Sequence, residues 1–172
     1  MNTIQTIISF ILAISVLVSY YLFLQTDEKY EGGYIAHPFW FGIPKNIVLF
    51  LIFFQLLAII GFCGSIGLWL KNPPTSGACK GNNLFYALML FFISAICWPI
   101  FTYYKLPYLT VLSIVCTAAA SIWLLAGAIE EEDNSTKLYK VVGLFFLCIV
   151  TVLGDGVIWN ANYVIKNKNL LC

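Results

Sequence analysis

The chain has 172 residues, of which 61% are hydrophobic and only 10% are charged, and its mean hydropathy is +0.90. A soluble domain carries about 25% charged residues, and a water-soluble fold of this length lacks the interior volume to bury so many apolar side chains, so an ordinary soluble protein is excluded. The net charge of +1 gives no electrostatic reason to expect a nucleic-acid partner, because such binding depends on basic residues.

Apolar stretches of membrane-spanning length recur along the chain. Each has the roughly 20 residues that an α-helix needs to cross about 30 Å of hydrocarbon. All nine basic residues are lysines, and they lie between, beyond or at the edges of these stretches, as the cost of a charge inside a membrane requires. We therefore predict an all-α polytopic membrane protein, a bundle of five transmembrane helices in a single domain, 1–172. The predicted spans are 4–24, 47–70, 84–104, 108–129 and 141–165.

The connections between the predicted spans differ in kind. The first is long and rich in aromatic residues, glycine and proline, and it contains His37 and Trp40. The third has only three residues, 105–107, which predicts an antiparallel hairpin of helices three and four. The fourth opens with an acidic run, whose simplest interpretation is a solvated loop and whose alternative is a surface for a basic partner. The acidic run is Glu130, Glu131, Glu132 and Asp133.

Small and hydroxyl-bearing residues mark helices two and four. Small residues let helix backbones approach closely, which replaces the hydrophobic driving force that lipid removes. We interpret both sets as packing signals that say little about chemistry. The second span contains Gly61, Gly64 and Gly67, and the fourth contains a polar line of Thr110, Ser113, Thr117 and Ser121.

Asp155 is the one ionisable residue deep within a predicted span. Thr151, Asp155, Trp159 and Asn162 recur at helical spacing and are predicted to share one face. Because no basic residue lies at a similar depth, we expect Asp155 to be protonated, hydrogen-bonded to Trp or Asn, or lining a wet cavity. Two interpretations stay open. Asp155 is either a functional group (a ligand anchor or a proton-relay carboxyl) or a packing residue that ties helix five to a neighbour.

The sequence contains no catalytic motif. His37 is the only histidine, it has no Ser/Asp partner at a defined spacing for a triad, and one histidine cannot hold a metal alone. The six cysteines include no CxxC pair or His/Cys cluster, which argues against a zinc site. We predict that the chain is not an enzyme and needs neither cofactor nor metal.

Four short segments carry a resemblance to a known family. Residues 37–44 read His-Pro-Phe-Trp-Phe-Gly-Ile-Pro, and residues 64–69 read Gly-Ser-Ile-Gly-Leu-Trp. Residues 98–101 read Trp-Pro-Ile-Phe, followed by Pro107 and Leu109, and helix five runs from Leu153 through Trp159 to Asn162. In this order they resemble motifs of the translocator protein family, also called tryptophan-rich sensory proteins. The chain departs from that pattern at Ser94 and Gly154, where the family has asparagines, and it lacks the family's Pro-Tyr at the start of the last helix.

The resemblance implies a five-helix membrane protein that binds hydrophobic ligands such as porphyrins and sterols. It further implies that Trp40, Trp98, Asp155, Trp159 and Asn162 line or cap the ligand cavity.

Three functional hypotheses follow from the sequence. The first is a non-enzymatic structural or accessory component of a larger membrane assembly, in an organelle or in the internal membrane of a virion, with lipid and other protein subunits as partners. It is motivated by loops too small for a soluble active domain and by the missing catalytic motif. The second is a binder or carrier of hydrophobic ligands, as the resemblance implies. The third, a proton-coupled transporter using Asp155, lacks the internal repeat that such carriers often show. Lysines divide almost evenly between the two sides, so the sequence predicts neither an orientation nor a particular membrane.

Overall fold

The computed structural model describes residues 1–25, 40, 42–132 and 135–166. It contains five helices long and apolar enough to cross a membrane, and no strand occurs in these ranges. The all-α bundle of five spans is therefore confirmed, and the chain is an integral membrane protein. His37 and the acidic residue Asp133 lie outside the described residues. The elements are α1 (Thr3–Gln25), α2 (Lys45–Lys71), α3 (Asn83–Tyr103), α4 (Pro107–Glu130), α5 (Lys137–Cys148), the π-helix π1 (Ile149–Trp159) and α6 (Asn160–Lys166).

The ends of the first four helices fall within two residues of the predicted positions. Pro107 is the first residue of α4, where its fixed φ suits a helix and its missing N–H costs nothing. The fifth span, formed by α5, π1 and α6, begins at Lys137, four residues before the predicted start at 141. Lys140, which the prediction placed outside the span, is buried inside the bundle.

The helices pack in an order that differs from their order along the chain. α2 packs against α5, α5 against α4, α4 against α3, and α3 against α1. The α3–α4 pair is the antiparallel hairpin that the short third connection predicted. Phe62 of α2 reaches α3, where its ring lies 5.2 Å from that of Phe91 and 5.8 Å from that of Phe92, between centroids. These contacts close the core between α2 and α3.

Glycine allows the closest approach in the bundle, between α2 and α5. A Cβ added to Gly61 would lie 2.4 Å from the Cα of Gly143, so the two backbones touch directly. Ser65, one turn after Gly61, donates a 2.7 Å hydrogen bond to the Gly61 carbonyl. Packing by small residues, predicted for helix two, is confirmed at Gly61, whereas Gly67 has no atom within 4 Å of its added Cβ.

The polar line of α4 faces the core and bonds to neighbouring helices. Thr117 donates a 2.8 Å hydrogen bond to the hydroxyl of Ser94 on α3. The hydroxyl oxygens of Ser121 and of Thr151 on π1 lie 2.6 Å apart. All four side chains are buried. These bonds between helices confirm the prediction that the polar line of α4 serves helix packing. Hydroxyl groups that are buried away from water are stabilised by hydrogen bonds to a neighbouring helix.

The middle of the fifth span is a π-helix, whereas the sequence suggested an unbroken α-helix. Its wider turn follows from the local composition. Four consecutive β-branched residues, 149–152, crowd the preceding turn of an α-helix. Gly154 and Gly156 then supply backbone without a Cβ. The N–H of Asn160 bonds to the carbonyl of Asp155 five residues earlier, which is the hydrogen-bond spacing of a π-helix.

Candidate functional site

Aromatic residues from several parts of the chain meet at one end of the bundle. Trp40 precedes α2, Trp98 lies near the end of α3, Trp159 ends π1 and Tyr163 lies on α6. Each is 3% exposed or less. They belong to one buried apolar cluster, against which the partly buried Tyr20 of α1 packs. We call these five residues the aromatic cluster and this part of the bundle the aromatic end.

The rings of Tyr20, Trp98, Trp159 and Tyr163 pack in well-defined orientations. The ring centroids of Trp98 and Trp159 lie 5.0 Å apart at an interplanar angle of 68°, and Tyr163 stacks on Trp159 at 4.9 Å and 11°. Tyr20 meets Trp98 edge-on at 5.4 Å and accepts a 2.9 Å hydrogen bond from its Nε1. Such ring pairs contribute about 0.5–1.5 kcal/mol each beyond the apolar area they bury. The cluster therefore ties α1, α3 and the fifth span together.

Asp155 lies on the face of π1 that is directed into the bundle. Residues four positions away share a face in both α- and π-helices, and Thr151 and Trp159 are both buried. The lipid-facing positions of π1 are Leu153 and Val157, which are 54% and 56% exposed. Asp155 itself is partly exposed.

The Asp155 carboxyl has no hydrogen-bond or ion-pair partner among the described residues. The bond to Trp or Asn that we considered is therefore not formed within that part of the chain. Asn160 adds a second such group, because its Oδ1 is buried with no partner in the described ranges. Two polar groups of the fifth span thus keep hydrogen-bonding capacity inside the bundle.

The structure brings together three of the five predicted site residues, Trp40, Trp98 and Trp159. Asp155 lies one helical turn before Trp159. Asn162 is partly exposed, and its Nδ2 donates a 2.8 Å hydrogen bond to the carbonyl of Ile158 in its own helix.

Sequence reasoning missed Tyr20 and Tyr163 as members of the aromatic cluster. Tyr163 was detectable, because its spacing of four from Trp159 places both rings on one helix face. Tyr20 was not detectable, since its partner Trp98 lies on another helix.

A buried ion pair at the opposite end of the bundle corrects the interpretation of the acidic run. Glu131 is 6% exposed and Lys140 is 1% exposed, and the Lys140 Nζ lies 2.6 Å from Oε1 and 2.5 Å from Oε2 of Glu131. Trp69 Nε1 donates to Glu131 at 3.1 Å, and Lys140 Nζ lies 5.8 Å from the centroid of the Trp69 ring. The solvated-loop prediction is wrong for Glu131, because this side chain is buried. A charge removed from water needs a partner, and Lys140 supplies it. We call this region the ion-paired end.

The connection between α2 and α3 packs onto the ion-paired end. Glu130 accepts a 2.8 Å hydrogen bond from the N–H of Ala78, and Trp123 Nε1 donates to the Ala78 carbonyl at 3.1 Å. The adjacent Cys79 is fully buried, and burial, with a smaller effect of the nearby Glu130 and Glu131, raises the pKa of its thiol to about 12. Cys79 is therefore a neutral packing residue at ordinary pH.

Comparisons with protein-family models, with curated proteins and with solved structures find no match. Among the described residues, no group of three or more His, Cys, Asp or Glu side chains could hold a metal ion.

Proposed function

We propose that this chain is a non-enzymatic multi-pass membrane protein that acts as a structural or accessory subunit of a larger membrane assembly. The observation that carries the proposal is the exposure of α1. Only 6% of its membrane-spanning window is buried, compared with 50% for α3, and its main packing partner is α3 alone.

The attachment of α1 is confined to one side of the helix. Near its start, Gln5 donates to the side chain of Asn82 at 3.1 Å, and near its end Tyr20 accepts from Trp98. Between these points Leu12, Ala13 and Val16 pack against the core. Large apolar side chains cover the rest of its circumference, for example Phe10, 68% exposed, and Leu17, 67% exposed. A helix presented in this way is available for packing against another subunit in the membrane, which supports the accessory role.

Site-specific photo-crosslinking in the native membrane tests this proposal. A photoreactive residue at Leu17 of α1 should give adducts of defined mass with other membrane proteins. The same probe at Val115, a 53% exposed position of α4, should react with lipid and is the matched control. If Leu17 also gives only lipid adducts, and the chain leaves mild detergent as a monomer without stoichiometric partners, the proposal is wrong.

A second candidate function is the binding of hydrophobic small molecules, as in the translocator family that the sequence resembles. It is favoured by the meeting of Trp40, Trp98 and Trp159 beside the inward-facing Asp155. Ligand pockets of this class combine apolar and aromatic walls with a small number of polar groups. A carrier role would use the same site.

Tryptophan fluorescence tests the second candidate. A porphyrin or a sterol added to the protein in lipid nanodiscs should quench or shift the emission beyond the change seen with empty nanodiscs. Trp98→Phe should weaken that response, whereas Trp123→Phe, at the opposite end, should leave the affinity unchanged. Affinity equal to that of lipid alone would rule this candidate out.

A further inference from the structure

A groove opens on the outer surface of the bundle at the ion-paired end, between α2 and the start of α5. Its volume is about 490 Å³, within the range of about 300–1,000 Å³ that is usual for small-ligand sites. None of the residues that line it belongs to the aromatic cluster or to the buried ion pair. The groove is lined by Gly64, Gly67 and Leu68 of α2, by Ser135 and Thr136, and by Tyr139 of α5.

The groove exists because α2 carries glycine where it faces the start of α5. The ring of Tyr139 lies against Gly64, where an added Cβ would collide with it. One turn later Gly67 is exposed and has no atom within 4 Å of its added Cβ, so the space beyond the ring is open. α2 has 27 residues, about 40 Å in length, which exceeds the hydrocarbon thickness of about 30 Å. Because the groove lies along the last two turns of α2, it extends from the hydrocarbon to the level of the lipid headgroups.

Polar groups gather at the headgroup end of the groove. Ser135 and Thr136 supply hydroxyl groups there, and no charged side chain of the described residues lines the groove itself. Lys71 is exposed, lies four residues after Gly67 and therefore shares its helix face. It forms no ion pair within the described part of the chain, and the exposed Glu132 does not line the groove. Hydroxyl donors and an ammonium group next to an apolar floor suit a phosphate group that carries an acyl chain.

The charge of Lys71 determines which class of phospholipid fits this groove. Lipid fills a groove that faces the membrane, so the choice lies among lipid headgroups. Phosphatidylcholine carries a cation of its own beside the phosphate, and the lysine repels that cation. An anionic phospholipid such as phosphatidylglycerol has the phosphate as its only charge, and basic residues at the membrane surface attract such lipids.

We infer that this groove is a binding site for one anionic phospholipid, whose phosphate lies at Lys71, Ser135 and Thr136 and whose acyl chain lies over Gly64 and Gly67. The inference is independent of both candidate functions, because the groove shares no residue with α1 or with the aromatic cluster.

Native mass spectrometry of the full chain in mild detergent tests the inference. Phosphatidylglycerol and phosphatidylcholine with identical acyl chains are added in equal amounts, and the first bound lipid is counted for each. We expect the wild-type protein to retain phosphatidylglycerol about fivefold more than phosphatidylcholine. Lys71→Gln should remove most of this preference, and Lys71→Arg, which keeps the charge, should retain it. Lys80→Gln is the matched control, because it removes an exposed lysine from the connection at the same end and should leave the preference unchanged.

Gly67→Leu tests the position of the acyl chain. The added side chain should fill the groove and lower the retention of phosphatidylglycerol, whereas Ala119→Leu, at an exposed position of α4, should not. Equal retention of the two lipids by the wild type, or a preference in Lys71→Gln equal to that in Lys80→Gln, overturns the inference. Retention by Gly67→Leu as strong as by Ala119→Leu also overturns it, because the lipid then lies elsewhere on the protein.

Discussion

The two ends of this bundle are closed by different physical means. At the ion-paired end, Glu131, Lys140 and Trp69 satisfy one another, and the connection after α2 adds hydrogen bonds. At the aromatic end, ring contacts dominate, and the Asp155 carboxyl below them has no partner in the described ranges. At the ion-paired end the named polar groups bond to one another, whereas at the aromatic end the Asp155 carboxyl remains able to accept hydrogen bonds. This difference is why we place the candidate site at the aromatic end.

The largest expected effect comes from removing one partner of the buried ion pair. Lys140→Met removes the cation that balances the buried Glu131 carboxylate, and should lower the free energy of unfolding by about 3–5 kcal/mol. The measurement is unfolding by SDS in mixed micelles. Lys137→Met, three residues earlier on the same helix and without an ion-pair partner in the described chain, is the control and should change stability little.

The double variant Lys140→Met/Glu131→Gln sharpens this prediction. It removes both charges, so it should recover part of the loss of the single variant. If Lys140→Met is no more damaging than Lys137→Met, the ion pair does not stabilise this end and the contrast between the ends fails.

Alanine substitutions at glycines compare how tightly α2 packs against the fifth span at two heights, one at Gly61 and one at Gly154. A Cβ at Gly61 would collide with the backbone of Gly143, which cannot move aside, so Gly61→Ala should cost about 2–3 kcal/mol. A Cβ at Gly154, nearer the aromatic end, would lie 3.1 Å from the side-chain Cδ2 of Leu51, which can shift. Gly154→Ala should therefore cost less than Gly61→Ala in the same unfolding assay, and Gly67→Ala, with open space around it, should be neutral. A reversed order of Gly61 and Gly154 would contradict the structure.

A smaller effect is expected from the hydrogen bond between Trp98 and Tyr20. Tyr20→Phe removes the acceptor of the Trp98 N–H but keeps the edge-on ring contact, and should cost about 1 kcal/mol. A double-mutant cycle with Trp98→Phe isolates the pair, because both single variants remove the same bond. A coupling energy of zero would show that α1 is held at this end by ring packing alone.

Some of these contacts could be predicted from the sequence, and others could not. The hydroxyl line of α4 was predicted to be a packing surface, and its bonds to Ser94 and Thr151 confirm this. The acidic run was misread at Glu131, because nothing in four consecutive acidic residues tells which one turns inward. Of the five proposed site residues, the sequence named three that meet, but the resemblance that named them did not supply their distances.

The last prediction concerns the pH dependence of stability at Cys79, which serves as a probe of the ion-paired end. Its pKa is raised from 9.0 to about 12, so the folded thiol keeps its proton while the unfolded thiol ionises. Its contribution to stability is therefore full below pH 9 and is lost as pH rises from about 9 towards 12. Cys79→Ala should remove this component of the pH dependence.

Iodoacetamide gives a second measurement on Cys79. At mildly alkaline pH the native thiol should react far more slowly than in the SDS-unfolded chain, with Cys79→Ala as the background for the other thiols. Lys140→Met should accelerate the reaction by opening this end, whereas Tyr20→Phe, at the aromatic end, should not. Equally fast alkylation in native and unfolded protein would be inconsistent with a buried Cys79.

The sequence by itself determined the five spans, because partition into hydrocarbon depends on the composition of consecutive residues and each stretch carries that information locally. It also indicated the small and hydroxyl-bearing faces, since helical periodicity follows from spacing alone. Only the tertiary structure decided that Glu131 pairs with Lys140, that Trp98 contacts Trp159 and that α2 lies against α5. Lipid supplies no hydrophobic force to orient one apolar helix towards another, so these pairings depend on side-chain fit between helices that are distant in the chain.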